Sequence, residues 1–371
     1  MPYLDNAATS YPKPKCVIDK MVDFMTTCGA SPGRGGYKSA FAASEMLFAC
    51  QEDVAKLFSI PSPEQIIFTK NSTEAINCAM FGIIEKDDEI IISSMEHNSV
   101  LRTAHECVRR GAKLKIVNAE PNGKVSPESI EKLISPKTKL ICIIHSSNVT
   151  GTINDIYEIS RIGKKHNVYT LFDCAQSAGV IPINASDFDM FTFSGHKGLF
   201  APMGTGGLYV REGINLKPLL YGGTGSYSES AQMPSFFPDR FHAGTLNAPG
   251  IAALSEGVRF ILREGVYEKE REITAYLYSA LSEIKNVVIP GEKERTSAVS
   301  IVVPNHDSVA IAQKLDKEYS IAVRAGLHCA PLAHRTIGTF HTGTIRFSPG
   351  FFTEKSDIDY TASALKKILS N

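Results

Sequence analysis

The chain has 371 residues, and its 39 Lys+Arg balance its 39 Asp+Glu. A hydrophobic share of 43% with 21% charged residues excludes global disorder and permits a sizeable core. The neutral balance argues against a nucleic acid or a membrane surface as the main partner.

At roughly 150 residues per domain the length predicts two domains. The amino terminus, MPYLDNAATS, has no basic stretch followed by an apolar one, so no signal peptide is expected. No apolar run approaches the ~20 residues that span a bilayer. The eight cysteines are widely and irregularly spaced, without a CxxC pair. That removes zinc-ribbon and thioredoxin-like readings, and no metal site is expected. Reduced thiols in a cytoplasmic protein are the general expectation for them.

From about residue 65, short β-rich runs alternate with helical patterns. QIIFTK (65–70) reads as a strand and STEAINCAMFGIIE as the helix after it. EIIIS (89–93) is followed by a helix through Leu101 to Arg110. KLKIVN (113–118) leads to a helix opening in SPESIEKLI (126–134), with Ser126 as its cap and Pro127 in its first turn. TKLICIIH (138–145), VYTLFD (168–173), MFTFS (190–194) and GGLYV (206–210) are further strands. Continuous apolar strands belong in a parallel sheet covered by helices on both faces, so the first two thirds is α/β. A helical stretch then runs from Leu246 to Lys285 with one turn signal, near Gly265. AVSIVV (298–303), a helix from Asp307 to Tyr319, IAVR (321–324), TIRFS (344–348) and a last helix from Glu354 to Leu369 describe a smaller α+β domain. Its boundary is expected near residue 250, with the amino-terminal segment packed on one of the two domains.

Ligands of an open parallel sheet sit beyond the carboxyl ends of its strands. The segments there are Asn71-Ser72-Thr73, Met95-Glu96-His97-Asn98, Ser146-Ser147-Asn148, Asp173-Cys174-Ala175-Gln176 and Gly195-His196-Lys197-Gly198. Each alone reads as readily as a cap or a structural residue. Together they bring an anion cradle at a helix N-terminus, an imidazole, an amide, a carboxylate and a lysine to one sheet edge. Pyridoxal phosphate needs this inventory: an amine for its aldehyde, a carboxylate for its ring nitrogen, a flat stacking partner and donors for its phosphate. No G-x-G-x-x-G follows an early strand and no Walker A motif is present, so nicotinamide and nucleotide readings fail.

The segments STEAIN (72–77), MEHNS (95–99), HSSNVTG (145–151), FDCAQ (172–176), FSGHK (193–197), HAGTLN (242–247) and RAGLHCA (324–330) occur in this order. They resemble the cysteine desulfurases and selenocysteine lyases of the class V aminotransferase group, which are fold-type I pyridoxal-phosphate enzymes. The resemblance runs from YLDNAATS at 3–10 to TIRFSPGFFTEKSDID at 344–359. It implies a large domain, residues 15–250, with a mostly parallel seven-stranded sheet between helices. A smaller α+β domain, residues 1–14 and 251–371, would carry the catalytic cysteine loop.

The resemblance implies Lys197 as the Schiff-base lysine, Asp173 as partner of the pyridinium nitrogen and His97 as the stacking ring. Gln176 and Asn148 would lie near the cofactor's phenolic oxygen and the substrate. Ser72, Thr73, Ser194 and His196 would hold the phosphate, with Thr245 reaching the cofactor of a second subunit in a homodimer. Arg346 would bind the substrate carboxylate, and Asn6 and Ala7 would line the substrate pocket. Cys329 would be the nucleophile that receives sulfur from L-cysteine, or selenium's counterpart from L-selenocysteine, for transfer to an acceptor protein. The short RxGxHCA loop is similar to the SufS-like branch, whose cysteine sits in an ordered segment. Two departures concern substrate and acceptor: Gly33-Arg34-Gly35-Gly36-Tyr37 stands where that branch has a histidine-rich segment, and Leu327 stands where it often has histidine. The branch's longer amino-terminal extension is also missing. Selenocysteine lyase and other class V reactions without a persulfide remain the competing activities, and iron–sulfur cluster assembly is one expected destination of the sulfur.

Overall fold

A computed structural model describes residues 1–33 and 35–370 of the chain. Arg34, in the altered Gly33–Tyr37 segment, lies outside the described residues. In chain order the elements are α1 (Lys15–Asp23), a five-residue π-helical turn (Phe24–Cys28), α2 (Lys38–Phe58), β1 (Ile66–Thr69), α3 (Ser72–Ile83), β2 (Glu89–Ser93), α4 (Asn98–Arg109) and β3 (Lys113–Val117). They continue with α5 (Pro127–Glu131), β4 (Thr138–Ile144), α6 (Ile156–His166), β5 (Tyr169–Asp173), β6 (Met190–Ser194), β7 (Gly206–Val210), α7 (Ala248–Glu264) and α8 (Val266–Ser282). The last are β8 (Val299–Ile301), α9 (Ser308–Tyr319), β9 (Arg324–Gly326), α10 (Pro331–Thr336), β10 (Thr344–Phe347) and α11 (Lys355–Ser370).

Seven strands form one sheet in the order β1-β7-β6-β5-β4-β2-β3. β7 runs antiparallel to both its neighbours, and the other pairs are parallel. Strand alternation splits the apolar side chains between two cores. Phe68, Ile91, Ile141, Ile143, Phe172 and Phe191 face one side, where α2, α6 and α7 cover them. Ile67, Ile90, Ile92, Leu140, Leu171 and Met190 face the other, under α3 and α4. With both faces covered, the inner strands β2, β4, β5 and β6 read as nearly continuous apolar runs, whereas β3 at the sheet edge is partly exposed. β1, β2, β4, β5 and β6 end on the same edge, which gathers the five polar segments.

The last third forms a three-stranded antiparallel sheet, β8-β10-β9. Its core holds Val299, Ile301, Phe347, Ile311, Leu365, and Ile273 and Leu277 of α8. Leu4 joins this core, and its backbone bonds Ala322 at 2.9 Å and Ser348 at 2.7 Å. The long helical stretch is broken at Gly265, whose φ of 59° lies in the left-handed region that glycine enters without a Cβ clash. The break also divides the cores. α7 sends Ile251, Leu254 and Val258 into the large-sheet core, whereas α8 serves the small sheet. No described helix is long and apolar enough to cross a membrane.

Candidate active site

The site begins where β1 turns into α3. Asn71 is the cap, its Oδ1 accepting from the Glu74 amide at 3.0 Å. The Ser72 hydroxyl therefore serves elsewhere: it donates to Asp173 Oδ1 at 3.0 Å and lies 2.6 Å from Thr192 Oγ1. The Ser72 amide donates to Ser194 Oγ at 3.1 Å. Thr73 is exposed, with Oγ1 2.8 Å from Ser99 Oγ.

Asp173, 2% exposed at the end of β5, accepts at the same Oδ1 from the Ala175 amide at 3.0 Å. His97 caps α4, its Nδ1 accepting from the Ser99 amide at 3.1 Å, so the ring proton is assigned to Nε2. Burial lowers its pKa to about 4, against the opposing pull of Asp173, so the ring is neutral. Lys197 is half-buried in the turn after β6. Burial lowers its pKa to about 8, Asp173 opposing and Arg346 and Arg324 adding to the fall. A partly neutral amine at neutral pH is a competent nucleophile and base.

His196 beside it is held neutral at about 4 by burial, and its buried Nδ1 has no hydrogen-bond partner. Asn148 donates through Nδ2 to the His328 carbonyl at 2.7 Å, while its buried Oδ1 has no partner. Buried polar atoms are seldom left unpaired without reason. These two unpartnered atoms, on segments that follow β6 and β4 at the same sheet edge as Asp173, fit a flat, phosphate-bearing cofactor.

The cysteine loop closes over this edge. Asn98 N donates to the Cys329 carbonyl at 2.7 Å, and Arg324 Nη2 lies 3.6 Å from Cys329 Sγ. Among the described residues Cys329 is the one exposed cysteine of the eight. His328 and Cys329 both hold left-handed backbone, with φ of 47° and 58°, which is uncommon for side-chain-bearing residues and marks local strain. Arg346, 1% exposed on β10, bonds Asp5 Oδ1 at 2.8 Å and the Asn148 carbonyl at 3.0 Å. Asn6, Ala7, Gln176 and Lys197 line one small pocket, where Gln176 donates to the Ala7 carbonyl at 3.0 Å.

Thr245 alone stands apart. It is exposed and lines a separate cavity of about 370 Å³ with Phe68, Lys70 and His242.

The aminotransferase class-V family matches residues 2–361. A probable cysteine desulfurase of Methanothermobacter thermautotrophicus is 32% identical over 99% of this chain and 94% of its own length. The cysteine desulfurase of an Escherichia coli O157:H7 strain is 31% identical over 99% and 93%. Among solved structures, the apo cysteine desulfurase of Thermococcus onnurineus superposes with a TM-score of 0.93 at 29% identity, covering 100% of this chain and 94% of that one. The Escherichia coli cysteine desulfurase CsdA, as its S-sulfonic acid, gives 0.89 at 26% identity, covering 99% and 94%.

The chain belongs to the cysteine desulfurases of the class-V aminotransferase family. In this cysteine desulfurase several further residues around the site hold it together. Asp5 pairs with Arg346, Arg324 touches Cys329, and Glu96 joins the ends of β2 and β4. Glu96 Oε1 accepts from Ser93 Oγ at 2.5 Å and from the Ile144 amide at 3.0 Å, and burial pushes its pKa up to about 8. All three lie in segments that carry the family resemblance, Asp5 in YLDNAATS, Glu96 in MEHNS and Arg324 in RAGLHCA, but nothing in those segments assigns them a role.

Proposed function

We propose that this enzyme binds pyridoxal 5'-phosphate through Lys197 and moves the sulfur of L-cysteine onto Cys329, releasing L-alanine. Pyridoxal phosphate, when bound, supplies an electron sink for charge developing at the substrate's α-carbon. Asp173 would pair with the ring nitrogen, His97 would be the stacking partner, and Thr73, Ser194 and His196 would hold the phosphate. Ser72 contributes by fixing Asp173. The neutral Lys197 amine takes the Cα proton and returns it later. Arg346 holds the substrate carboxylate beside Asn6 and Ala7, and Asn148 and Gln176 set the distance to the cofactor. The Cys329 thiolate then attacks the substrate sulfur: the new S–S bond forms, the Cβ–S bond breaks, and a proton is delivered to Cβ. L-cysteine plus thiol becomes L-alanine plus persulfide, so atoms and electrons balance.

The observation that carries this reading is the tie between the exposed Cys329 loop and the strand ends, through Asn98 to Cys329 and Asn148 to His328, both at 2.7 Å. The short loop with its fixed backbone supports the SufS-like branch and a dedicated acceptor protein that comes to the thiol. Thr245, which lines a different cavity from Lys197, supports a homodimer in which it serves the neighbouring subunit. Exposed Tyr37, Phe41 and Phe48 offer apolar surface for such a contact. The eight free cysteines suit a cytoplasmic enzyme. The change of cores at Gly265 supports a division into a large unit and a small one completed by 1–14, with the boundary moved from residue 250 to Gly265 because α7 packs on the large sheet.

The test is to supply L-cysteine with a reductant and measure alanine and sulfide together. Cys329→Ala is expected to keep the yellow lysine-linked cofactor and lose at least about 100-fold in alanine formation, the scale of a lost nucleophile. Lys197→Ala is expected to lose linkage and turnover together. If Cys329→Ala makes alanine at the parent rate, the role given to Cys329 is wrong. Retained activity of that variant on L-selenocysteine alone would mark selenocysteine lyase chemistry, because selenium can leave as the element while Cβ takes a proton, the added reductant then turning it into selenide, without the thiol's help.

A further inference from the structure

The carbonyl oxygen of His196, in the peptide bond that leads into Lys197, collects donors from the amino-terminal segment. The Ser10 amide and Thr9 Oγ1 reach it at 3.0 Å, Lys13 Nζ at 2.9 Å, and Ser10 Oγ at 3.3 Å. Lys13 Nζ also donates to Ser10 Oγ at 2.7 Å, which knits the donors into one cluster. A carbonyl oxygen has two lone pairs, so these donors exceed what its own satisfaction requires. The ammonium bond is the strong one, since charge-assisted hydrogen bonds are roughly twice as strong as neutral ones.

Lys197 lies in a turn, outside helix and strand, so no ladder of backbone bonds fixes its peptide. Lys13 is an unusual residue to spend there. It is half-buried, and no carboxylate pairs with it among the described residues. Burial lowers its pKa to about 8, so holding it there costs free energy that a surface lysine does not incur. Pro12 and Pro14 flank it and narrow the backbone states open to the segment.

We propose that Lys13 is a positioning residue for Lys197, clamping the 196–197 peptide to the amino-terminal strap and thereby setting where the Lys197 amine meets the reacting atoms. The proposal rests on the reading of Lys197 as the lysine that binds the cofactor. Asp173, Arg346, Arg324 and Cys329 are the charged and titratable groups that act on the Lys197 amine directly. Lys13 acts on it through the backbone, and its charge is felt by the neighbouring His196 imidazole.

The experiment compares holoenzyme with Lys13→Met, Lys13→Arg and Thr9→Val. The readouts are the pH titration of the lysine-linked cofactor absorbance, kcat and KM for L-cysteine, and the melting temperature. Lys13→Met is expected to shift the absorbance midpoint by about half a pH unit or more and to lower kcat about tenfold, with KM within about twofold. Lys13→Arg is expected to restore most of both, and Thr9→Val to move them the same way by less. If Lys13→Met melts earlier but keeps the parent midpoint and kcat, the strap is merely structural and the proposal fails. Should Lys13→Met not fold, an unchanged midpoint in Thr9→Val overturns it instead. A parent enzyme with no lysine-linked absorbance would overturn the reading of Lys197 itself, a result distinguishable from either.

Discussion

Arg346 is a cation with almost no access to water, and Asp5 makes its burial tolerable. The guanidinium spends one nitrogen on Asp5 and another on the Asn148 carbonyl, while its buried Nε has no partner. Removing the charge of Asp5 would leave a buried cation uncompensated. Asp5→Asn is expected to lower unfolding free energy by about 3 kcal/mol, the low end for a broken buried pair because Asp5 is partly exposed. A urea titration measures this, and a loss below about 1 kcal/mol would mean that water already screens the pair. The pair also shows why some site residues were hidden in the sequence. Asp5 and Arg346 are 341 residues apart, and Lys13 and His196 are 183 apart. A residue whose meaning comes only from a distant partner leaves no local pattern. Lys197, Asp173 and His97 were legible because each follows an apolar strand and sits in a motif of several residues. Ser72 was legible as polar at the right place, but its direction was not: only packing turns its hydroxyl toward Asp173 and leaves the capping to Asn71.

Among the elements, α7 ties the small-sheet end of the chain to the turn that carries Lys197. Gly257 on α7 lies against that turn so closely that a Cβ would stand 2.2 Å from the Leu199 carbonyl oxygen. Both atoms belong to backbone or to a fixed Cβ, so no rotamer relieves the clash. Gly257→Ala is expected to cost about 2–3 kcal/mol, the upper range for overpacking, and to displace residues 197–200. Denaturant unfolding and the lysine-linked absorbance read the two effects, and a normal midpoint with normal absorbance would show that α7 can shift freely. The strands were read to within a residue or two because both sheet faces are buried. IAVR (321–324) was the exception. Ladder pairing moves that strand to Arg324–Gly326 opposite Thr344–Arg346, where two of its three residues favour no strand by propensity. α2 was not read at all. Its exposed Phe41 and Phe48 blur the apolar stripe by which a helix is recognised, and the π-helical turn at Phe24–Cys28 follows no common period.

For the whole molecule, buried titratable groups set how stability follows pH. His97, His145, His196, His242 and His334 are pushed by burial to about 4, and His328 to about 2. Below their unfolded pKa of about 6.5 the unfolded chain binds protons that the folded chain refuses, so stability falls as pH drops from there toward 4. Glu96 and Glu270 act in the opposite sense. Burial pushes both up to about 8, so the folded chain keeps protons that the unfolded chain has released; their contribution is full below about 4.3 and is lost as pH rises through 8. Between about 4.5 and 6.5 the six histidines outweigh the two acids and stability rises with pH. Between 6.5 and 8 the acids act alone and it declines. Above 8, Lys13 and Lys197, both lowered to about 8, act to raise stability with pH, but burial lifts the thiols of Cys50, Cys78, Cys107, Cys142 and Cys174 above their unfolded value of about 8.5, and these five outweigh the two lysines, so stability goes on falling. The melting temperature is therefore expected to peak near pH 6.5 and to decline above it. Glu270→Gln keeps the shape of the side chain and removes one of the two titrations, so the decline from 6.5 to 8 should be roughly halved. A melting temperature that climbs steadily from pH 5 to 8 in both proteins would mean that neither acid is held neutral by the fold.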